Sequence, residues 1–245
     1  MIVEHQLSIC HCLRVSFKLK KVTIVIPVFN EAKSLVVLLE ELGKINSKEI
    51  EFLLVNNGST DISVSTMLKQ GISKWNFVES VDNLGFGGGI LLGISHAETK
   101  YVGWMPGNLK VDPKDVVKLI EMLTLDEKIF IKGFRTGRGI KEYIKTFFAG
   151  AIQTLILKSN MFDSGGTPTV CVKKFICELE APPTDYVFES YVLYHARKNQ
   201  LKVIRPHITY GRRRFGESHW QRGIKSEINL LKLIYISSLR WTRDK

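Results

Sequence analysis

Val22-Thr23-Ile24-Val25-Ile26-Pro27-Val28-Phe29-Asn30-Glu31 is the stretch on which the fold turns. Val22 to Val28 is a short apolar, β-branched run with no polar alternation, the pattern of a strand buried on both faces of a parallel sheet. Asn30 or Glu31 then opens a helix, because Leu35, Leu38, Leu39 and Leu42 recur at helical spacing. A buried strand that passes through two polar residues into a helix is the first half of a βαβ unit.

Working outward, the same alternation repeats. Phe52 to Val55 reads as a second buried strand that ends in Asn56-Asn57-Gly58-Ser59-Thr60-Asp61, a turn leading into a helix cap. Met67 to Ile72 continues that helix. Trp75 to Val81 gives a third strand, followed by the glycine-rich Asn83-Leu84-Gly85-Phe86-Gly87-Gly88-Gly89 and a helix over about Ile90–Ala97. Tyr101 to Met105 is a fourth strand, leading into Pro106-Gly107-Asn108; a helix over Lys114–Leu123 and a strand over Ile129–Lys132 follow. This spacing predicts an α/β fold, a single domain built on an open, mostly parallel Rossmann-like sheet flanked by helices. Ligands of such sheets bind beyond the carboxyl ends of the strands. The polar segments at Asn30-Glu31, Asn57 to Asp61 and Pro106 to Asn108 all sit there and are expected to share one crevice.

The second half is less regular. Ile140, Tyr143, Ile144, Phe147, Phe148, Ala151, Ile152, Leu155 and Ile156 fall at three- and four-residue steps, flanked by Lys141, Lys145 and Lys158. A second amphipathic stretch covers Ile224 to Trp241. Both stripes fit either core packing or a membrane interface. Residues 1–20 read as an N-terminal extension, 21–222 as the α/β domain and 223–245 as a C-terminal amphipathic helix.

The chain has 245 residues, enough for a sizeable core. With 44% hydrophobic and 24% charged residues it is globular in composition, not disordered. Its formal net charge of +11 favours anionic partners: phosphorylated molecules, an anionic membrane surface or nucleic acid. No nucleic-acid-binding module and no basic–aromatic interleaving accompany that charge, which argues against nucleic acid. Cys10, Cys12, Cys171 and Cys177 lack zinc-site spacing and read as free thiols of a reducing compartment. No run of about 18 consecutive apolar residues is present, and Glu4, His5 and Gln6 interrupt any signal-peptide core. His195, His207 and His219 have no common metal spacing. The expected location is cytoplasmic, peripheral on the cytoplasmic membrane face.

Gly85 to Gly89 is no Walker loop, since no Gly-Lys-Ser/Thr follows, and it trails the third strand, not the first. On its own it fits a tight strand-to-helix connection as well as a phosphate site. Taken together, Val22 to Glu31, Leu54 to Asp61 and Asn83-Leu84-Gly85 resemble the successive motifs of family 2 glycosyltransferases. The resemblance runs from about Val22 to Trp220 and implies the GT-A fold and an inverting transfer of a hexosyl group from a nucleotide-diphosphate sugar. It places Pro27, Asn30, Glu31, Asn57, Asp61, Asn83 and Gly85 at the nucleotide. Asp61 fits a helix cap equally well.

One departure is plain. Where most members carry Asp-x-Asp, which binds Mg²⁺ or Mn²⁺ on the donor diphosphate, this chain has Pro106-Gly107-Asn108. Proline offers no ligand, and Asn108 offers only a neutral carbonyl oxygen to a hard cation. The negative charge of the leaving diphosphate still has to be neutralised. Three answers stay open: a weakly held metal at Asn108 with another acid; cationic side chains among Lys110, Arg135, Arg138 and Arg212 to Arg214; or an impaired enzyme. The last corresponds to a non-catalytic nucleotide-sugar-binding or scaffold protein. Retention of Asp112-Pro113 after this segment favours substitution within a working scaffold.

The later motifs resemble the dolichyl- and undecaprenyl-phosphate sugar synthases. In that branch, basic residues at the positions of Arg135 and Arg138 hold an acceptor phosphate, a task suited to the planar guanidinium fork. Gly165-Gly166-Thr167-Pro168 and Asp185 to Glu189 also match. Glu189, or Asp185 as the alternative, is the candidate general base for a hydroxyl acceptor, and Asp185 also fits an N-cap. Arg212-Arg213-Arg214-Phe215-Gly216-Glu217-Ser218 resembles the family's Arg-x-x-Gly-x-Ser segment, which implies that Arg213 and Ser218 close over the diphosphate. The implied acceptor is a polyprenyl phosphate or a membrane-linked glycan, of the kind used for cell-envelope polysaccharide.

Overall fold

The structure, a computed structural model, describes residues 22–69, 75–123, 128–211, 215 and 224–243. The N-terminal extension, with Cys10 and Cys12, lies outside them, as do Arg213, Ser218 and His219.

Seven strands form one sheet in the order β3-β2-β1-β4-β7-β5-β8. These are β1 (Val22–Val28), β2 (Ile50–Asn57), β3 (Asn76–Ser80), β4 (Tyr101–Trp104), β5 (Ile129–Lys132), β7 (Thr169–Val172) and β8 (Lys202–Ile204). The pairs β1–β2, β1–β4, β2–β3 and β5–β8 are parallel; β7 runs antiparallel between β4 and β5. A two-stranded parallel ladder joins β6 (Phe134–Thr136) to β9 (His207–Thr209). The expected open, mostly parallel sheet is therefore present, with one reversed strand.

Burial follows the apolar runs. Val22 to Val28 is almost wholly buried, and so are the inward stripe of α1 (Ala32–Gly43) at Leu35, Leu38, Leu39 and Leu42 and the strand Ile129–Phe130–Ile131. One core lies between the sheet and α1 with α4 (Pro113–Glu121). A second lies on the opposite face, beneath α3 (Gly85–His96) and α7 (Phe188–Lys198). Helix α2 (Ser63–Lys69) closes the edge beside α1, and the short α6 (Lys173–Cys177) follows β7.

The glycine run is a correction to the sequence reading. The helix starts at Gly85 and not near Ile90, so Gly85 to Gly89 form the first turns of α3 and not a loop. Close packing explains this. Gly85 has φ +80°, and a Cβ there would lie 2.5 Å from the Thr184 carbonyl oxygen. Further along the helix, a Cβ on Gly93 would lie 2.3 Å from Val25 Cγ1, so the helix rests directly on β1. Glycine weakens an isolated helix, and here tertiary contact sets the boundary.

Helix α5 (Ile140–Leu157) buries only Gly150, Gln153 and Leu157. Its apolar stripe is largely outside the core: Ile140, Phe147, Phe148 and Leu155 are 75%, 58%, 59% and 79% exposed. It packs on α8 (Ile224–Trp241), whose far end is fixed where Trp241 meets Tyr191 and Tyr194 of α7. No helix among the described residues is long and apolar enough to cross a membrane.

Candidate active site

A cavity of about 600 Å³ opens beyond the carboxyl ends of β1, β2 and β4. One end is lined by Pro27, Val28, Glu31, Asn57, Asn83 and Phe86. Pro106, Gly107, Asn108 and Lys110 form the middle, facing Arg135 and Tyr210. The far end is walled by α5 and α8 through Ala149, Leu230, Leu231 and Ile234. The segments after β1, β2 and β4 thus converge as the strand alternation predicts.

At the first end, side chains bind the loops to one another. Asn30, at φ 54°, accepts from the Thr60 and Asp61 amides at 2.8 and 3.2 Å and thereby ties the β1–α1 turn to the β2–α2 turn. Asp61 caps both neighbours, accepting from Ala32 N at 3.2 Å and Ser63 N at 2.9 Å. Buried Asn57 donates to Gly85 O at 2.9 Å and to Asn83 Oδ1 at 3.3 Å, and accepts from Leu84 N at 3.1 Å. Asn83 in turn accepts from Gly85 N at 2.8 Å. Of the sequence-selected residues, Pro27, Glu31, Asn57 and Asn83 line the cavity; Asn30, Asp61 and Gly85 shape the turns behind it.

The residues at the Asp-x-Asp position form a turn. Asn108 Oδ1 accepts from the Lys110 amide at 3.2 Å. Asp112 lies further on, where it accepts from Lys114 N and caps α4. The carboxylates lining the cavity, Glu31, Asp185, Glu189 and Glu227, come from separate elements. Among the described residues no three metal-ligating side chains gather. A hard divalent cation on a diphosphate is held by one or two protein carboxylates together with phosphate oxygens and water; the Pro106-Gly107-Asn108 turn supplies no carboxylate, and so fits such an ion poorly.

Glu189, in the first turn of α7, sits in the cavity wall and is buried. Its Oε1 accepts from Trp104 Nε1 at 2.8 Å, and its Oε2 is held by the ammonium of Lys132, itself wholly buried at the end of β5. Burial pushes the Lys132 ammonium below its ordinary value, and the charge and hydrogen bond of Glu189 work against that. Asp185 also lines the cavity and accepts from Val187 N at 2.9 Å, in the manner of a cap.

Arg135 and Arg138 converge on Asp163, buried after α5. Arg135 binds its Oδ1 through Nε at 2.7 Å and through Nη2 at 2.6 Å, while Arg138 Nη2 lies 3.3 Å away. A third arginine, Arg205, reaches the Asp163 carbonyl at 2.8 Å and the Lys132 carbonyl at 3.0 Å. Three guanidinium groups thus share one carboxylate. Burial lowers the Arg205 guanidinium to about 10, Asp163 opposing, and lowers Arg138 as well. For Arg135 burial is the largest single influence and pulls downward, but Asp163, Tyr210 and Glu189 together leave the group raised. Arg138 Nε and Thr167 Oγ1 are buried without a hydrogen-bond partner among the described residues.

Lys132, Asp163, Arg205 and Tyr210 were not legible as site residues. Lys132 alone left a trace in the sequence, a charge closing the apolar run Ile129-Phe130-Ile131. His195 packs on Tyr191 and Tyr194, and His207 on Phe134. Cys171 is a buried free thiol and Cys177 an exposed one.

An open α/β sheet with a polar cavity beyond its strand ends is the ligand-binding architecture of open α/β enzymes. The sequence model of the family described as Glycosyl transferase family 2 matches residues 23–163. The chain belongs to that family and is a glycosyltransferase.

Its relatives narrow the comparison. Undecaprenyl-phosphate 4-deoxy-4-formamido-L-arabinose transferase of Photorhabdus laumondii is 23% identical over 226 residues, covering 89% of this chain and 67% of that protein. Dodecaprenyl-phosphate galacturonate synthase of Rhizobium johnstonii is 29% identical over 125 residues, 48% of this chain and 37% of the relative. The chain therefore spans about two thirds of the first relative and little more than a third of the second. Among solved structures, glucosyl-3-phosphoglycerate synthase from Mycobacterium tuberculosis, with Mn²⁺, UDP and glucosyl-3-phosphoglycerate, superposes with a TM-score of 0.69 at 15% identity. That match covers 90% of this chain and 78% of the other. It is a likeness of fold.

Proposed function

We propose that this glycosyltransferase moves a sugar, with inversion, from a nucleotide-diphosphate sugar to a polyprenyl phosphate at a membrane surface. The observation that carries the reading is the cavity itself, which joins a polar part at Pro27, Glu31, Asn57 and Asn83, the cations Lys110 and Arg135, and a part between α5 and α8 that includes Ala149, Leu230, Leu231, Leu233 and Ile234. A nucleotide fits the first, phosphate groups the second and an isoprenoid chain the third. The two relatives named for undecaprenyl- and dodecaprenyl-phosphate sugars support the same acceptor class.

The chemistry is consistent with that acceptor. A phosphate monoester with a second pKa near 6 is mostly ionised at neutral pH and needs no base. Its oxygen attacks the anomeric carbon while the nucleoside diphosphate leaves from the opposite face. We assign the acceptor phosphate to Thr167, which lines the cavity and whose buried Oγ1 has no hydrogen-bond partner among the described residues, and to Arg138, which lies outside the cavity lining but has a buried Nε likewise without one. Glu189, held on both oxygens, then serves to shape the cavity wall. Arg213 and Ser218 are assigned to the donor diphosphate by motif alone.

Membrane contact belongs to the same proposal. The exposed stripe of α5 and the outer face of α8, with Ile228, Tyr235 and Ile236 about half exposed, flank the apolar end of the cavity and carry Lys141, Lys145 and Lys158 nearby. Apolar residues rimmed by lysines suit an anionic bilayer. The test is transfer from a panel of radiolabelled nucleotide sugars to undecaprenyl phosphate in vesicles. Product that partitions with lipid is expected; no lipid-linked product with any donor overturns the acceptor assignment. Phe147→Ser with Phe148→Ser is expected to abolish flotation with anionic vesicles, and unchanged flotation overturns the membrane face.

A further inference from the structure

We infer that this chain neutralises the donor diphosphate with Lys110 and Arg135, grouped on the Tyr210 ring, and transfers sugar without a divalent metal. The inference rests on the donor assignment above and deepens it.

Two observations meet here. The first is the misfit of the donor set. Pro106 supplies no ligand, the Asn108 carbonyl oxygen is turned onto the Lys110 amide, and Asp112 is committed to the α4 cap. The same bond that occupies Asn108 fixes the backbone from which the Lys110 side chain leaves, two residues beyond the position where a metal carboxylate would sit.

The second is a cation pair across the cavity. Lys110 Nζ lies 5.8 Å from the centroid of the Tyr210 ring, and Arg135 Cζ lies 5.4 Å from it. All three residues line the cavity. Tyr210 is placed by backbone bonds on both sides: its amide donates to Thr136 O at 2.9 Å, and the next amide, that of Gly211, donates to Lys110 O at 2.8 Å. The aromatic ring draws both cations to one place in the cavity wall. Asp163 does not cancel Arg135, because Arg138 and Arg205 draw on the same carboxylate. An ammonium and a guanidinium lining the same cavity as Gly107 supply two positive charges where a leaving diphosphate develops negative charge. The acceptor oxygen forms its bond to the anomeric carbon as the C–O bond to the diphosphate breaks with its electron pair going to that oxygen, and the two cations stabilise the charge gained as the dianionic donor gives a trianionic nucleoside diphosphate without a proton transfer.

The test is equilibrium binding of nucleoside diphosphates (UDP, GDP, ADP and CDP), followed by calorimetry in excess EDTA and again in millimolar Mn²⁺. The expected result is that the preferred diphosphate binds with affinities equal within about twofold in the two buffers. Lys110→Met is expected to weaken it about tenfold in either buffer, to leave binding of the matching nucleoside unchanged, and to be recovered by Lys110→Arg. Binding that needs Mn²⁺ overturns the inference and leaves the glycosyltransferase reading intact. Absence of diphosphate binding in both buffers overturns the donor assignment and the inference with it. Diphosphate affinity unaffected by Lys110→Met in a folded variant removes Lys110 from the site and also overturns the inference.

Discussion

Lys132 and Glu189 form an ion pair that the sequence separates by 57 positions and the fold buries completely behind the cavity wall, with Trp104 on the second carboxylate oxygen. Removing one partner strands the other. Glu189→Gln is expected to cost about 3–5 kcal/mol, measured by urea unfolding. The double variant Lys132→Met, Glu189→Leu is expected to cost less, about 1–3 kcal/mol, set mainly by the Trp104 N–H left without an acceptor.

The same pair gives a pH signature. Burial lowers the Lys132 ammonium from 10.5 in the folded state, and Glu189 opposes this. In Glu189→Gln that opposition is weaker, so the folded value falls further. Between the folded value and 10.5 the unfolded chain holds the proton that the folded chain has released, so stability rises with pH. The deficit of Glu189→Gln against the parent is therefore expected to narrow as unfolding is repeated at increasing alkaline pH; a constant deficit would contradict this.

Among the described residues, Asp163 is the carboxylate that pairs with Arg135, Arg138 and Arg205. Asp163→Asn is expected to lose on the order of 3 kcal/mol, since three partly buried guanidinium groups then lose the carboxylate they share. Inorganic phosphate should recover part of the loss and raise the melting temperature of the variant more than that of the parent. Equal shifts in both would argue against an anion site at this node.

Two glycines separate packing from propensity. Gly93→Ala drives a methyl group against Val25 and is expected to destabilise by about 1–3 kcal/mol despite alanine's better helix propensity. Gly43→Ala, at the end of α1 with nothing within 4 Å of the added carbon, is expected to stabilise by about 0.4–1 kcal/mol. Urea midpoints of both variants check the contrast.

The sheet was legible because its central strands are buried on both faces: Ile24 to Val28 and Ile129 to Ile131 are apolar without interruption. Helical periodicity was legible too: the stripe from Ile140 to Ile156 falls within the helix Ile140–Leu157, although most of that stripe is not buried. The start of α3 was not, because glycines chosen for contact with Thr184 and Val25 look like a loop when those partners are out of view. At the site, residues attached to strand ends stood out. Those that act through distant partners did not: Arg205, Asp163 and Tyr210 gain meaning only when β6 pairs with β9 and brings 134–136 beside 207–209.

Asn30 and Asn57 carry one further implication. Each bridges two strand-end turns through several hydrogen bonds, so the segments after β1, β2 and β3 behave as a single stiff rim. The conformational entropy of ordering that rim is lost when the chain folds, before any ligand arrives. Affinity at this end is then governed by fit to a preset shape, and replacing either asparagine should slow capture of a ligand even where its own side chain never touches it.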